Sequence, residues 1–149
     1  MSLFGKLEVE VEIKAPAHKF HKVNTTGNSE LPNFCPQFIQ KVESLEGEWG
    51  EEGTVVCWYF HVDGKTVVSK EVLEVVDNVN LSITFKLIGG PLLELYKNVK
   101  FIVESTPKGG GGLVRNIFEY EKLRADVLDT NAMLQLAVEV TKEIDAHLI

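Results

Sequence analysis

The side chains able to do chemistry stand apart from one another in this sequence. His18 and His21 lie three residues apart in a stretch with helical spacing, a separation at which two imidazoles can face one metal ion. Zinc takes at least three protein ligands, and no third His, Cys or Asp sits at a telling spacing. The pair therefore reads as surface or pocket-rim groups, as do the isolated His61 and His147, and no metal site is expected. Cys35 and Cys57 lack a Cys-x-x-Cys partner. Cys57 with His61 could pair as nucleophile and base, but burial as a small apolar side chain is the commoner role of an isolated Cys. Gly47, Gly50 and Gly53 are regularly spaced in Glu46-Gly47-Glu48-Trp49-Gly50-Glu51-Glu52-Gly53 and invite a phosphate-cradle reading. Such a cradle needs the loop to open a helix, and here a β-branched, aromatic run follows. Glu48, Glu51 and Glu52 would also repel an anion, so a rigid hairpin loop is expected, with no cofactor.

Carboxylates are plentiful, but most alternate with apolar residues along extended stretches and so belong to solvated faces. The clearest case is Leu3 to Ile13, where Leu7, Val9, Val11 and Ile13 share one side and Lys6, Glu8, Glu10, Glu12 and Lys14 the other. Twenty-two acidic against fifteen basic residues give a net charge of −7, which works against binding a phosphate backbone; nucleic acid is not an expected partner. The 44% hydrophobic content suits an ordinary globular protein, and no apolar run approaches the roughly 18 residues of a membrane span. The start Met1-Ser2-Leu3-Phe4-Gly5-Lys6 lacks a secretion signal, so a cytoplasmic setting with free thiols is expected. The length of 149 residues suits one domain over 1–149 with a real core. No internal repeats and no splitting linker are evident.

The elements that must position these residues follow from period and punctuation. After the first strand, Ala15-Pro16-Ala17 opens a short helix carrying Phe20 and Val23, and Leu31-Pro32 opens a second turn. Further strands are read at Gln37–Leu45, Thr54–Val62, Lys65–Val76, Leu81–Ile88, Leu92–Glu104 and Leu113–Lys122. Asp63-Gly64 marks a tight hairpin, and Gly109 to Gly112 a flexible tip. Leu92 to Tyr96 also fits a turn of helix. From Val127 to Ile149 the apolar residues Met133, Leu136, Ala137, Val140, Ile144 and Leu148 recur at three- and four-residue spacing, which predicts an amphipathic helix roughly 33 Å long. One such helix after a run of hairpins buries its stripe most simply in the concave face of a curved antiparallel sheet.

Five stretches carry a family resemblance: Gly5-Lys6-Leu7-Glu8, Val42 to Gly50, Val62-Asp63-Gly64-Lys65, Glu94-Leu95-Tyr96-Lys97 and Glu119-Tyr120-Glu121-Lys122. In that order, with these elements, the chain resembles the major latex protein branch of the birch-pollen-allergen superfamily. The resemblance implies an α+β helix-grip fold: a seven-stranded curved antiparallel sheet wrapped around a long C-terminal helix, with two short helices after the first strand. It also implies a cavity for hydrophobic plant metabolites, fatty acids or steroid-like molecules, which composition and spacing alone do not show. The family has a glycine-rich loop where Gly47, Gly50 and Gly53 stand. Its register puts Val56, Trp58 and Phe60 inward with Val68, Ile83, Phe85, Phe118 and Tyr120. The last strand supports this, since its opposite face carries Arg115 and Glu119. Tyr96, Tyr120 and Asn116 would then be polar handles in an apolar chamber also lined by Phe101, Met133, Leu136, Ala137 and Val140.

The expected function is a carrier of a small hydrophobic ligand, acting as a monomer or weak dimer in plant defence or stress. The alternative is an enzyme such as a cyclase or isomerase, with Tyr96, Tyr120, Lys70 or Glu74 as acid–base candidates. Ribonuclease activity fits poorly with the acidic surface. A filled core with no cavity is the competing structural expectation, because most of these residues would suit it equally.

Overall fold

The structure, a computed structural model, describes residues 3–128 and 131–149. Strand β1 (Phe4–Ile13) alternates between its two faces as its period requires, and the chain then enters helix α1 (Ala17–Val23) behind Pro16. A 3-10 turn at Asn28–Glu30 leads into the single-turn helix α2 (Leu31–Phe34), where Pro32 sits in the first turn. Six strands follow: β2 (Ile39–Glu46), β3 (Val55–Val62), β4 (Lys65–Asp77), β5 (Ser82–Gly89), β6 (Tyr96–Lys108) and β7 (Gly111–Lys122). They form one antiparallel sheet in the order β1-β7-β6-β5-β4-β3-β2, so the first strand returns to pair with the last. Helix α3 (Ala132–Leu148) lies against β1 and β7 and meets both short helices. The expected helix-grip architecture, with two short helices after the first strand, is what the chain adopts.

Most boundaries move by a residue or two from the sequence reading, and the larger shifts fall at α3, at the start of β6 and at the glycine tip. Helix α3 has 17 residues, roughly 26 Å, and begins after Asn131 instead of at Val127. Val127 is buried in an aromatic cluster and the Leu128 carbonyl accepts a hydrogen bond from the Tyr96 hydroxyl at 2.5 Å, so this segment is tied to the sheet. Asp129 and Thr130, part of the expected helix, lie outside the described residues. Pro91–Glu94 is a 3-10 turn, the helical alternative for that stretch, and β6 starts at Tyr96. At the four-glycine tip, Gly111 and Gly112 belong to β7; a Cβ on Gly111 would stand 2.2 Å from the Ile13 carbonyl oxygen, so this glycine permits a close backbone crossing.

The core is divided in two. A larger cluster gathers Phe20, Leu31, Ile39, Val56, Trp58, Leu73, Ile83, Phe85 and Ile144 between the short helices, the sheet and the end of α3. A second packs Tyr96, Phe118, Tyr120, Leu87, Val99 and Val127. The convex face carries the expected charges, paired across strands: Arg115 with Glu8, Lys108 with Glu12, and Lys100 with Glu74 at 2.8 Å. Such exposed pairs contribute little individually but keep this face wet and the opposite face inward.

Candidate functional site: an apolar cavity between helix and sheet

Between α3 and the concave face lies a cavity of about 120 Å³. One water occupies roughly 10–15 Å³ on a comparable measure, so this is room for a guest the size of an aromatic ring, and a fully interlocked core is excluded. Its walls come from every layer: Phe20 from α1 and Asn24 just past its end, Leu31 from α2, Ile39 from β2, Trp58 and Phe60 from β3, and Glu71 from β4. Phe85, Phe101, Val103 and Asn116 continue around the sheet, and Met133, Leu136, Ala137, Val140, Thr141 and Ile144 close it from α3. Apart from Thr141, these α3 residues belong to the apolar stripe seen in the sequence.

Nine of the expected lining residues are brought together here: Trp58, Phe60, Phe85, Phe101, Asn116, Met133, Leu136, Ala137 and Val140. Val56 and Ile83 face inward but are fully buried in the larger cluster, away from the void. Phe118, Tyr120 and Tyr96 sit in the second cluster, where Phe118 stacks on Phe101 and the tyrosine rings meet edge-on at 5.0 Å. The Tyr96 hydroxyl is engaged with Leu128, and Tyr120 covers Gly5, where a Cβ would collide with the ring at 2.2 Å. Neither tyrosine lines the cavity, so the handle role expected of them is not supported by their positions. Val68 is a correction: it stands opposite Tyr59 on the outer face and is 39% exposed, because the Asp63-Gly64 hairpin places Ser69 opposite Trp58 and Glu71 opposite Val56. Lys70 is opposite Cys57 and exposed, and Glu74 is paired with Lys100 on the convex side, so both acid–base candidates on β4 point away from the chamber.

The inward acid is Glu71. It is 4% exposed, lines the cavity, and accepts a hydrogen bond from the Ser69 hydroxyl at 2.9 Å. Burial pushes its pKa up to about 7, held back only by the Ser69 hydroxyl and the nearby Trp58 indole. The Trp58 N–H, itself buried, closes no hydrogen bond in normal geometry. On the other side of the chamber Asn116 donates to Thr141 at 3.4 Å, while Thr141 donates to the Ala137 carbonyl at 2.7 Å.

Gly47, Gly50 and Gly53 all have φ between 83° and 89°, in the left-handed region. The loop is braced by Thr54 donating to the Glu48 carbonyl and Ser44 to the Gly47 carbonyl, and Gly50 packs on Thr26. It runs into β3 and not into a helix, which removes the dipole a phosphate cradle would use. Among the described residues no three His, Cys, Asp or Glu side chains gather as a metal site requires. His21 bonds Asn78 at 2.8 Å, His61 bonds Gln40 at 3.0 Å, and His147 stacks on Phe34. Burial lifts the Cys35 thiol to about 12, which leaves it without nucleophilic character at neutral pH.

Residues 2–149 match the Pathogenesis-related protein Bet v 1 family. The chain belongs to that family. Within this Bet v 1 family it is 43% identical over 150 residues to MLP-like protein 43 of Arabidopsis thaliana, covering 99% of this chain and 95% of that protein. It also matches MLP-like protein 34 of the same plant, of whose length it spans about half (46%). Ginseng major latex-like protein 151 from Panax ginseng superposes with a TM-score of 0.95 at 36% identity, over 99% of both chains. These likenesses place this Bet v 1 family member in the major latex protein branch. Norcoclaurine synthase from Thalictrum flavum, crystallised with dopamine and hydroxybenzaldehyde, shares the fold at a TM-score of 0.77 and 22% identity, over 98% of this chain and 88% of that one.

Proposed function

We propose that this protein is a carrier of a small hydrophobic guest, held in the cavity between α3 and the sheet. The observation that carries the reading is the void itself, roughly 120 Å³ lined by ten or more apolar side chains. Leaving aliphatic and aromatic walls without partners forfeits dispersion contacts, at about 24 cal/mol per Å³ in core-truncation series, so an evolved cavity of this size reads as kept for an occupant. The family association supports a plant defence or stress setting, in the cytoplasm. Fatty acid, sterol-like and phenolic metabolites are the guest classes that the resemblance suggests, and a guest larger than one ring requires α3 to give way near Met133, Leu136 and Ala137.

Trp58 in the wall supplies the test. In a Trp49→Phe background, titration with a panel of lipids, sterols and phenolics gives a saturable change in Trp58 emission for at least one class. A panel that changes neither emission nor melting temperature overturns the reading. One observation favours a second reading, as an enzyme: a buried carboxyl at about 7 on the wall of an apolar cavity has the acidity general acid–base work asks for. Under that reading Glu71→Gln abolishes turnover of a bound substrate while leaving its affinity within a fewfold.

A further inference from the structure

A buried carboxylate is costly unless a cation or several donors meet it. Glu71 faces the cavity with one hydrogen bond of normal geometry, donated by Ser69, and the Trp58 indole N–H lies near enough to favour its charged form without closing a second. Among the described residues lining the chamber no other side chain is ionisable. The residues opposite it on the neighbouring strands are Val56 on β3 and Leu87 on β5, with Trp58 diagonal to it, and none of them can supply a positive charge. Lys70, next in sequence, points outward. The protein itself thus provides no counter-charge for an acid set in an apolar cavity wall.

We infer that the missing partner belongs to the guest: the cavity selects a compound whose polar end is a basic nitrogen seated on Glu71, over one whose polar end is a carboxylate. This rests on the carrier reading and narrows it. A fatty-acid or phenylacetate headgroup at this end would set two carboxylates against each other in a low-dielectric site, whereas an ammonium or protonated ring nitrogen supplies the charge and donors that Glu71 lacks. The apolar body of the guest lies against Phe60, Phe85 and Leu136.

The test compares three single-ring isosteres, benzylamine, benzyl alcohol and phenylacetate, by calorimetry on the full chain near neutral pH. Benzylamine is expected to bind at least about tenfold more tightly than phenylacetate, and Glu71→Gln to erase that preference. A second readout needs no variant. At about pH 6, below the Glu71 value, seating an ammonium on the carboxylate releases close to one proton per guest, read from binding heats in buffers of different ionisation enthalpy; benzyl alcohol releases none. Equal binding of phenylacetate, a preference that survives Glu71→Gln, or no proton release overturns the inference. If benzyl alcohol binds without an amine preference, or none of the three binds while the wider panel still shifts Trp58 emission, only this inference fails; if the panel is silent too, the carrier reading fails with it.

Discussion

With its carboxyl at about 7 in the folded protein against an ordinary value of 4.5, Glu71 holds more proton in the folded state than in the unfolded chain between those two values. Stability therefore falls as pH rises through this window, the reverse of an ion-paired carboxylate, and the loss is complete above the folded value. A shift of this size corresponds to ~3 kcal/mol. Glu71→Gln keeps the shape and an acceptor for Ser69 while removing the charge. Denaturant unfolding is expected to show the wild type losing roughly 2–3 kcal/mol between about pH 5 and pH 8 relative to this variant; parallel pH profiles would refute the assignment. A second residue-scale contrast lies in the glycine loop. Gly50 has φ 83° and an added Cβ would stand 2.8 Å from the Thr26 backbone nitrogen, whereas Gly53 has φ 89° and open space. Gly53→Ala is expected to cost about 1–2 kcal/mol from the left-handed backbone alone, and Gly50→Ala clearly more, with equal losses arguing against the tight loop packing.

At the scale of elements, α3 is fixed to the sheet by its own side chain near the C-terminal end. The Asp145 carboxylate accepts the backbone N–H groups of Lys14 (3.0 and 3.1 Å) and Ala15 (2.8 Å), just past the end of β1. Asp145→Ala strands a buried donor at Ala15, and thermal unfolding should show a loss of roughly 1–3 kcal/mol. The first turns of α3 are only half buried, from Ala132 to Leu134, which makes this the end able to yield to a larger guest. The order of elements along the chain, the turn positions and the apolar stripe of α3 were legible because each rests on a local signal, whereas the pairing of β1 with β7 is non-local. The facing of β4 was also legible, from a signal the family register overrode. A two-residue Asp63-Gly64 hairpin pairs Val62 with Lys65, and counting back sets Trp58 opposite Ser69 and Val56 opposite Glu71, so an inward Trp58 already implied an inward Glu71 and an outward Val68. Composition concealed this, since Val68 and Val72 look more like core than Ser69 and Glu71 do. The start of α3 was not legible: nothing local announces that Val127 packs into an aromatic cluster or that the Leu128 carbonyl meets Tyr96 across the fold. The split between a filled aromatic end and a hollow end, which moved Tyr96, Tyr120 and Phe118 out of the site, is likewise a property of three-dimensional packing.

The molecule as a whole is a sheet curled around one helix with its core divided into two clusters. Tyr96, Phe118 and Tyr120 fill one cluster, while the other, built from the short helices, the sheet and Ile144, walls the cavity, which small or half-buried helix residues such as Ala137 help keep open. Occupancy should stabilise the fold by mass action, by about 2.7 kcal/mol at a hundredfold excess over Kd, so melting temperature rises with guest concentration. No helix of the described residues is long and apolar enough to cross a membrane, and the paired charges of the convex face present a polar exterior around this interior. The most direct trial of the hollow is to fill it. Calorimetric titration of benzyl alcohol into the wild type and into Ala137→Phe, whose ring would project into the chamber, should show one saturable site in the first and none in the second, with the variant still folding cooperatively. No binding to the wild type, or undiminished binding to the folded variant, would contradict the account.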